Sequence, residues 1–289
     1  MATSSDYAQP EVLAEPDWLW EHREDRLIRI IDCGEPAGYD RAHIPGAIRL
    51  VRHEDNVEVG SPQWLKEPDD PLHVIGSAGV VALAERLGIS DETTVVTYDD
   101  YNGSFATRLW WILTYYGHSD VKVLNGGWQR WLDEGRPATF REYLPAPGHF
   151  TPGPNEAMRI RLDELKARHG EPELQIVNVL WPEMYAGTAN PFGNKRVGHI
   201  PGSVNLPIER FFVDGDVPRI KPAPELQSVL DEAGLSPEQE TVIHCQAGVR
   251  TTMGIFVTTL LSWERVRAYE ASMAEWANRD DTALTIDSR

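Results

Sequence analysis

The sequence predicts an α/β protein made of two tandem copies of one domain, each with a mainly parallel sheet. Three observations carry this. The chain has 289 residues, and at roughly 100–200 residues per domain that suits two domains. Segments recur in the same order at a spacing of roughly 150 residues, too long for a solenoid of short repeats. Within each copy, short β-branched runs alternate with stretches of helical periodicity, the pattern of strand–helix–strand units around a parallel sheet.

The repeat is read directly. Residues 43–47 are HIPGA and residues 199–203 are HIPGS. An apolar run precedes each, IRIIDC in the first and LQIVNV in the second. Further on, ETTVVTYD (92–99) matches PEQETVIHC (237–245), and VKVLNGGWQRW (121–131) matches VRAYEASMAEW (266–276). IRIIDC, TTVVTYD and VKVL read as buried strands. GVVALAERLG (79–88) and PELQSVLDEAGL (224–235) read as helices, as do 102–117 and 249–263, each directly after a strand. Between the copies, residues 136–158 carry five prolines and read as an extended linker. The boundary is expected at 141–155, leaving 1–140 and 156–289 as the two domains.

Composition excludes several functions. Forty-five acidic against 27 basic residues give a formal charge of −18. Such a chain is a poor ligand for nucleic acid or an anionic membrane, and an anionic substrate needs a local Arg or Lys. Cys33 and Cys245 are the two cysteines, which excludes a disulfide framework or a Cys-rich zinc site. The first residues lack the basic and apolar regions of a signal peptide. The longest apolar stretch, near 109–116, is short of the ~20 residues that span a bilayer. The expectation is a cytoplasmic protein without metal or cofactor.

The chemistry concentrates in TVIHCQAGVRTTMGIFVTTLLS (241–262). A strand ends at His244, Cys245 opens a short loop, and a helix follows. A cysteine at a strand end facing a helix N-terminus meets free backbone N–H groups and the positive end of the dipole, which stabilise a thiolate. The same amides suit an anion or a terminal sulfur, and Arg250 adds charge. Cys33 ends a strand with no such loop after it and reads as a structural core residue. Asp99 stands at the position of Cys245 in the first copy and reads as a cap of the next helix. His43 and His199 read as loop-fixing residues, since nothing completes a metal set.

On the two HIPG[AS] segments, YGHSDVKVLNGGWQRW, the Cys245–Arg250 loop and the closing MAEWANRDD, the chain resembles the tandem-domain rhodaneses. These are sulfurtransferases of the thiosulfate and 3-mercaptopyruvate group. The resemblance covers nearly the whole chain. It implies two rhodanese-like domains, each a mainly parallel five-stranded sheet flanked by helices, the first inactive and the second catalytic. It implies a Cys245 persulfide, held by the loop amides of Gln246, Ala247, Gly248, Val249, Arg250 and Thr251. Thiosulfate or 3-mercaptopyruvate would be the sulfur donor, cyanide or a thiol the acceptor, and the protein a monomer with neither nucleic-acid nor membrane partner.

Two departures bear on the donor. The second-domain pattern D-x-R-x-x-E-[FY] reads Asn178 to Tyr185 here, with Leu180 in place of the anion-binding Arg. Arg250, or Lys195 and Arg196, must then supply the charge, and Arg196 is taken as a donor-binding candidate. The loop C-Q-A-G-V-R has Ala247 where mercaptopyruvate relatives carry Ser, which favours thiosulfate. The polar segment 51–71, with Arg52, His53 and Trp64, is expected to overhang the cleft, and His73 after it reads as a surface residue. A cysteine phosphatase or arsenate reductase is the rival enzyme reading, although four residues separate Cys245 from Arg250 where those enzymes need five. A non-catalytic sulfur-binding or interaction module is the third.

Overall fold

The computed structural model describes residues 6–52 and 64–286. The chain divides into two compact units. One ends at Asn155 and also takes in Val213–Ile220; the other runs Glu156–Phe212 and resumes at Lys221. The eight-residue stretch Val213–Ile220, which the sequence places in the second copy, therefore groups with the first. Ile220 there donates its backbone N–H to Asn125 Oδ1 at 3.0 Å.

The first unit runs β1 (Leu13–Ala14), α1 (Pro16–His22), β2 (Ile28–Asp32), α2 (Pro36–Arg41) and β3 (Ile48–Arg49). It continues with β4 (Lys66–Glu67), β5 (Asp70–Val74), α3 (Ser77–Leu87), β6 (Thr94–Tyr98), α4 (Ser104–Tyr115), β7 (Val121–Leu124) and α5 (Gly127–Asp133). Five strands form one parallel sheet in the order β1-β7-β6-β2-β3. The runs IRIID and TVVTY become its centre because a parallel sheet is covered on both faces and needs continuous apolar strands. α4 is buried nearly all round, with Trp111 and Leu113 fully covered. α1, α2 and α5 supply Leu19, Tyr39 and Trp131 to a cluster that also holds Ile30, Val96 and Tyr98. The segment expected as an overhang runs into the antiparallel hairpin β4–β5, which ends beyond it at Val74, and its residues 53–63 lie outside the described residues.

The second unit repeats the plan. It runs α6 (Leu162–Arg168), β8 (Leu174–Asn178), α7 (Pro182–Tyr185), β9 (Ser203–Asn205), α8 (Ala223–Glu232), β10 (Glu240–His244), α9 (Val249–Leu260), β11 (Val266–Ala268) and α10 (Ser272–Trp276). Its parallel sheet has four strands, β11-β10-β8-β9. The five strands expected of each copy are thus present in the first only. The fifth position shrinks to one bridge between Arg159 and Ala268, with the Ile160 N–H on the Ala268 carbonyl at 2.9 Å.

The HIPG segments do the same work in both units. His43 stacks on Tyr39 with ring centroids 3.6 Å apart, and His199 stacks on Tyr185 at 3.7 Å. Each Nδ1 faces the carbonyl of its own Tyr, at 2.7 and 2.9 Å. Backbone bridges then tie His43 to Thr139 and His199 to Thr285. Gly46 and Gly202 turn the chain at φ 85° and 80°, where a side chain is disfavoured. A carboxylate–guanidinium network braces the root of the central strand: Glu240 on β10 accepts from both Nη atoms of Arg168 at 3.1 and 2.9 Å, and from Arg267 at 3.2 Å.

Candidate active site

Strand β10 delivers Cys245 to the carboxyl end of the sheet, where α/β folds place their sites. The turn into α9 is set by Gly248 at φ 86°. A Cβ there would lie 2.5 Å from the Glu270 carbonyl oxygen, so no side chain fits. The Gly248 N–H donates to Cys245 Sγ at 3.1 Å. The backbone of Cys245 is held on both sides: its N–H donates to Ser272 Oγ at 3.1 Å, and its carbonyl accepts from the Met273 N–H at 3.2 Å. The residue is 1 % exposed.

The other predicted loop residues take distinct roles. Gln246 is buried, and its amide pairs reciprocally with Asn194 at 3.0 and 2.9 Å. Its carbonyl accepts from the Ala274 N–H at 2.7 Å. Ala247 is half-buried and offers only backbone. Val249 and Thr251 are buried in the first turn of α9. Arg250 lies over the Trp181 ring, with Cζ 4.0 Å from its centroid, and one Nη pairs with Glu209. Its Nε and Nη1 are buried and take no hydrogen bond among the described residues, which leaves two donors in a fixed plane.

Arg196 is the other candidate for holding the donor. It lines a small cleft with Leu180, Met184, Gln246 and Met273, and both its Nη atoms make hydrogen bonds. Nη1 donates to the Thr282 carbonyl at 2.7 Å, and Nη2 donates to the Trp276 carbonyl at 3.0 Å and to Thr282 Oγ1. It pins the chain after α10, and its buried Nε takes no hydrogen bond among the described residues. Leu180, at the position of the family Arg, is 2 % exposed. Its N–H closes a turn on Asn178 Oδ1 at 2.9 Å.

The first copy carries the corresponding loop, one residue longer between its strand-end residue and the left-handed glycine, Gly103. Asp99 takes the place of Cys245, and its carboxylate accepts four backbone N–H groups: Tyr101, Gly103, Phe105 and Ala106, at 2.7–2.8 Å. Burial pushes its carboxyl up and the amides pull it back. Asp99 caps α4, as expected, and also fills a ring of amides aimed at an anion. Cys33 is fully buried, and burial pushes its thiol well above the usual range. Among the described residues no cluster of His, Cys, Asp or Glu could hold a metal, and no helix is long and apolar enough to cross a membrane.

One residue of the site escaped the sequence reading. Trp181 carries no motif. Ser272 closes the segment Tyr269–Ser272, which stands where the family has Y-D-G-S, and lies opposite Gly127 when 266–276 is laid on 121–131.

The rhodanese-like domain model matches twice, over residues 15–134 and 161–279. The chain belongs to the rhodanese family. It is 34% identical over 289 residues to the sulfur carrier protein TtuD of Thermus thermophilus, covering 94% of this chain and 95% of that one. It is 31% identical over 288 residues to a thiosulfate sulfurtransferase of Corynebacterium glutamicum, covering 94% and 90%. Among solved structures, the rhodanese-fold SseA of Escherichia coli, a 3-mercaptopyruvate sulfotransferase, superposes with a TM-score of 0.76 at 23% identity, covering 90% of this chain and 98% of that one. An EanB variant in complex with ergothioneine superposes at 0.85 with 21% identity, covering 97% and 71%. These two likenesses concern the fold.

Proposed function

We propose that this rhodanese is a sulfurtransferase that carries sulfur as a persulfide on Cys245, with thiosulfate as the preferred donor. One observation carries the reading. Cys245 Sγ sits under a loop amide at the mouth of α9, where the first copy seats a carboxylate on four such amides. A persulfide anion needs that same cradle.

The Cys245 thiolate attacks the outer sulfur of thiosulfate. The sulfur–sulfur bond of the donor breaks, and sulfite leaves with its electron pair. Cyanide or a thiolate then attacks the outer sulfur of the persulfide and regenerates the Cys245 thiolate. Splitting the transfer into two displacements is what an activated nucleophile achieves. With Leu180 apolar, Arg250 supplies the donor-binding charge, its plane set by Trp181 and Glu209. In the first domain, Asp99 cannot accept sulfur and keeps the loop filled, so that domain is inactive. We place the enzyme in the cytoplasm, as a monomer.

3-Mercaptopyruvate is the second donor, with pyruvate leaving. Ala247 offers no hydroxyl for proton transfer to that leaving group, which favours thiosulfate. Steady-state thiocyanate formation from cyanide, run with each donor in turn, tests the assignment. A higher kcat/KM with thiosulfate is expected. A clear preference for 3-mercaptopyruvate would move the enzyme to the other class.

A further inference from the structure

We propose that Ser272 is a positioning residue that clamps Cys245 in its reactive pose; the proposal rests on the reading of Cys245 as the sulfur-carrying residue. Ser272 is fully buried and holds φ 55°, in the left-handed region that an L side chain rarely adopts. The equivalent residue of the first copy is Gly127, at φ 54°. Glycine takes that conformation without cost, and serine does not. The second copy therefore carries a strained serine where its own repeat shows that glycine suffices for the fold.

The side chain has a use that matches the strain. Ser272 Oγ accepts the Cys245 N–H at 3.1 Å and donates its own proton to the Tyr269 carbonyl at 2.7 Å. That second bond orients the oxygen lone pairs toward Cys245. The next residue, Met273, gives its N–H to the Cys245 carbonyl at 3.2 Å. Cys245 is thus held at both of its backbone polar groups by two consecutive residues. Among the described residues the first copy keeps only the carbonyl half, Trp128 N–H to the Asp99 carbonyl at 2.9 Å. A Cβ on Gly127 would lie 2.4 Å from that carbonyl oxygen. The second copy carries this Cβ, and the corresponding hydrogen bond is longer. The loop has made room for the serine, and what the serine adds is the bond to the Cys245 N–H. With the backbone fixed, Sγ is directed at the Gly248 N–H. The carboxylate of Asp99 finds four amides unaided, whereas a single sulfur has one and depends on its direction.

The test is a pair of variants with opposite structural consequences. Ser272→Gly removes the hydroxyl and relieves the strain. Ser272→Ala removes the hydroxyl and keeps it. A positioning role predicts that both lose about 10-fold in the single-turnover rate of sulfur loading at saturating thiosulfate, the scale of one hydrogen bond, with the donor KM unchanged. Ser272→Gly is expected to match or exceed Ser272→Ala in Tm, so rate and stability part company. A Ser272→Gly protein that loads sulfur at the wild-type rate would overturn the proposal. The rate of Cys245 alkylation by iodoacetamide, followed by peptide mapping, needs no sulfur donor. It is expected to fall several-fold in both variants, and an unchanged rate overturns the proposal even if wild-type protein takes no sulfur from thiosulfate.

Discussion

Asp99 and Cys245 occupy one place in the two copies. Each follows the central strand of its sheet, and each gives its carbonyl to a backbone N–H at the start of the last helix of the copy, that of Trp128 at 2.9 Å or Met273 at 3.2 Å. One side chain is a carboxyl group seated on four amides; the other is a cysteine with one amide on its sulfur among the described residues. The loop of the first copy is thus an anion cradle filled by its own residue.

That relationship predicts the cost of disturbing the filled cradle. In Asp99→Asn the amide NH2 would face backbone N–H donors with no acceptor to offer them. A loss of about 1–3 kcal/mol is expected, seen as a lower Tm for the first unit by calorimetry. Sulfur loading on Cys245 should persist.

Arg250 and Arg196 separate by assay. Arg250→Met removes the guanidinium that rests on Trp181 and Glu209. The KM for thiosulfate should rise about 10- to 100-fold, the scale of a charge-assisted hydrogen bond. Arg196→Met instead frees the Thr282 and Trp276 carbonyls, so Tm should drop and KM should hold.

Two buried titratable groups give opposite pH slopes. Burial raises the Asp32 carboxyl from its ordinary 3.8 to about 6, against hydrogen bonds from Tyr98 and Gly34. The native state then holds a proton that the unfolded chain has released, so stability falls as pH climbs from about 4 to 6. The second copy carries Asn178 at this position. Asp32→Asn should therefore add on the order of 2–3 kcal/mol at pH 8 and almost nothing at pH 4.

His244 works in the other direction. Burial lowers its imidazole from 6.5 to about 4. Below pH 6.5 the unfolded chain takes a proton that the native state refuses, so stability is lost as pH falls toward 4, by about 3 kcal/mol in all. His244→Phe should flatten that loss. Tm against pH for the two variants separates the contributions.

Much of this was legible in the sequence because it rests on local pattern. The runs IRIID and ETVIH are apolar enough to be central strands, and the matched HIPG segments fixed the repeat in register. Cys245 stood out because a strand, a glycine turn and a helix follow one another within a few residues. What escaped the reading depends on tertiary contact. The fifth strand of the second copy shrinks to the Arg159–Ala268 bridge, although α6 starts three residues after Arg159 just as α1 starts three residues after Leu13. Arg196 looked like a free cation beside a motif; its carbonyl partners lie about 80 residues away along the chain. Trp181 became significant only with Arg250 lying over it.

The central claim is that Cys245 carries the sulfur. Intact mass of the protein after incubation with thiosulfate, with peptide mapping and a Cys245→Ala control, tests it most directly. The account predicts a gain of one sulfur on the Cys245 peptide, absent in the variant and removed by cyanide as thiocyanate. An unchanged mass with both thiosulfate and 3-mercaptopyruvate, or a sulfur mapped to Cys33, would contradict it.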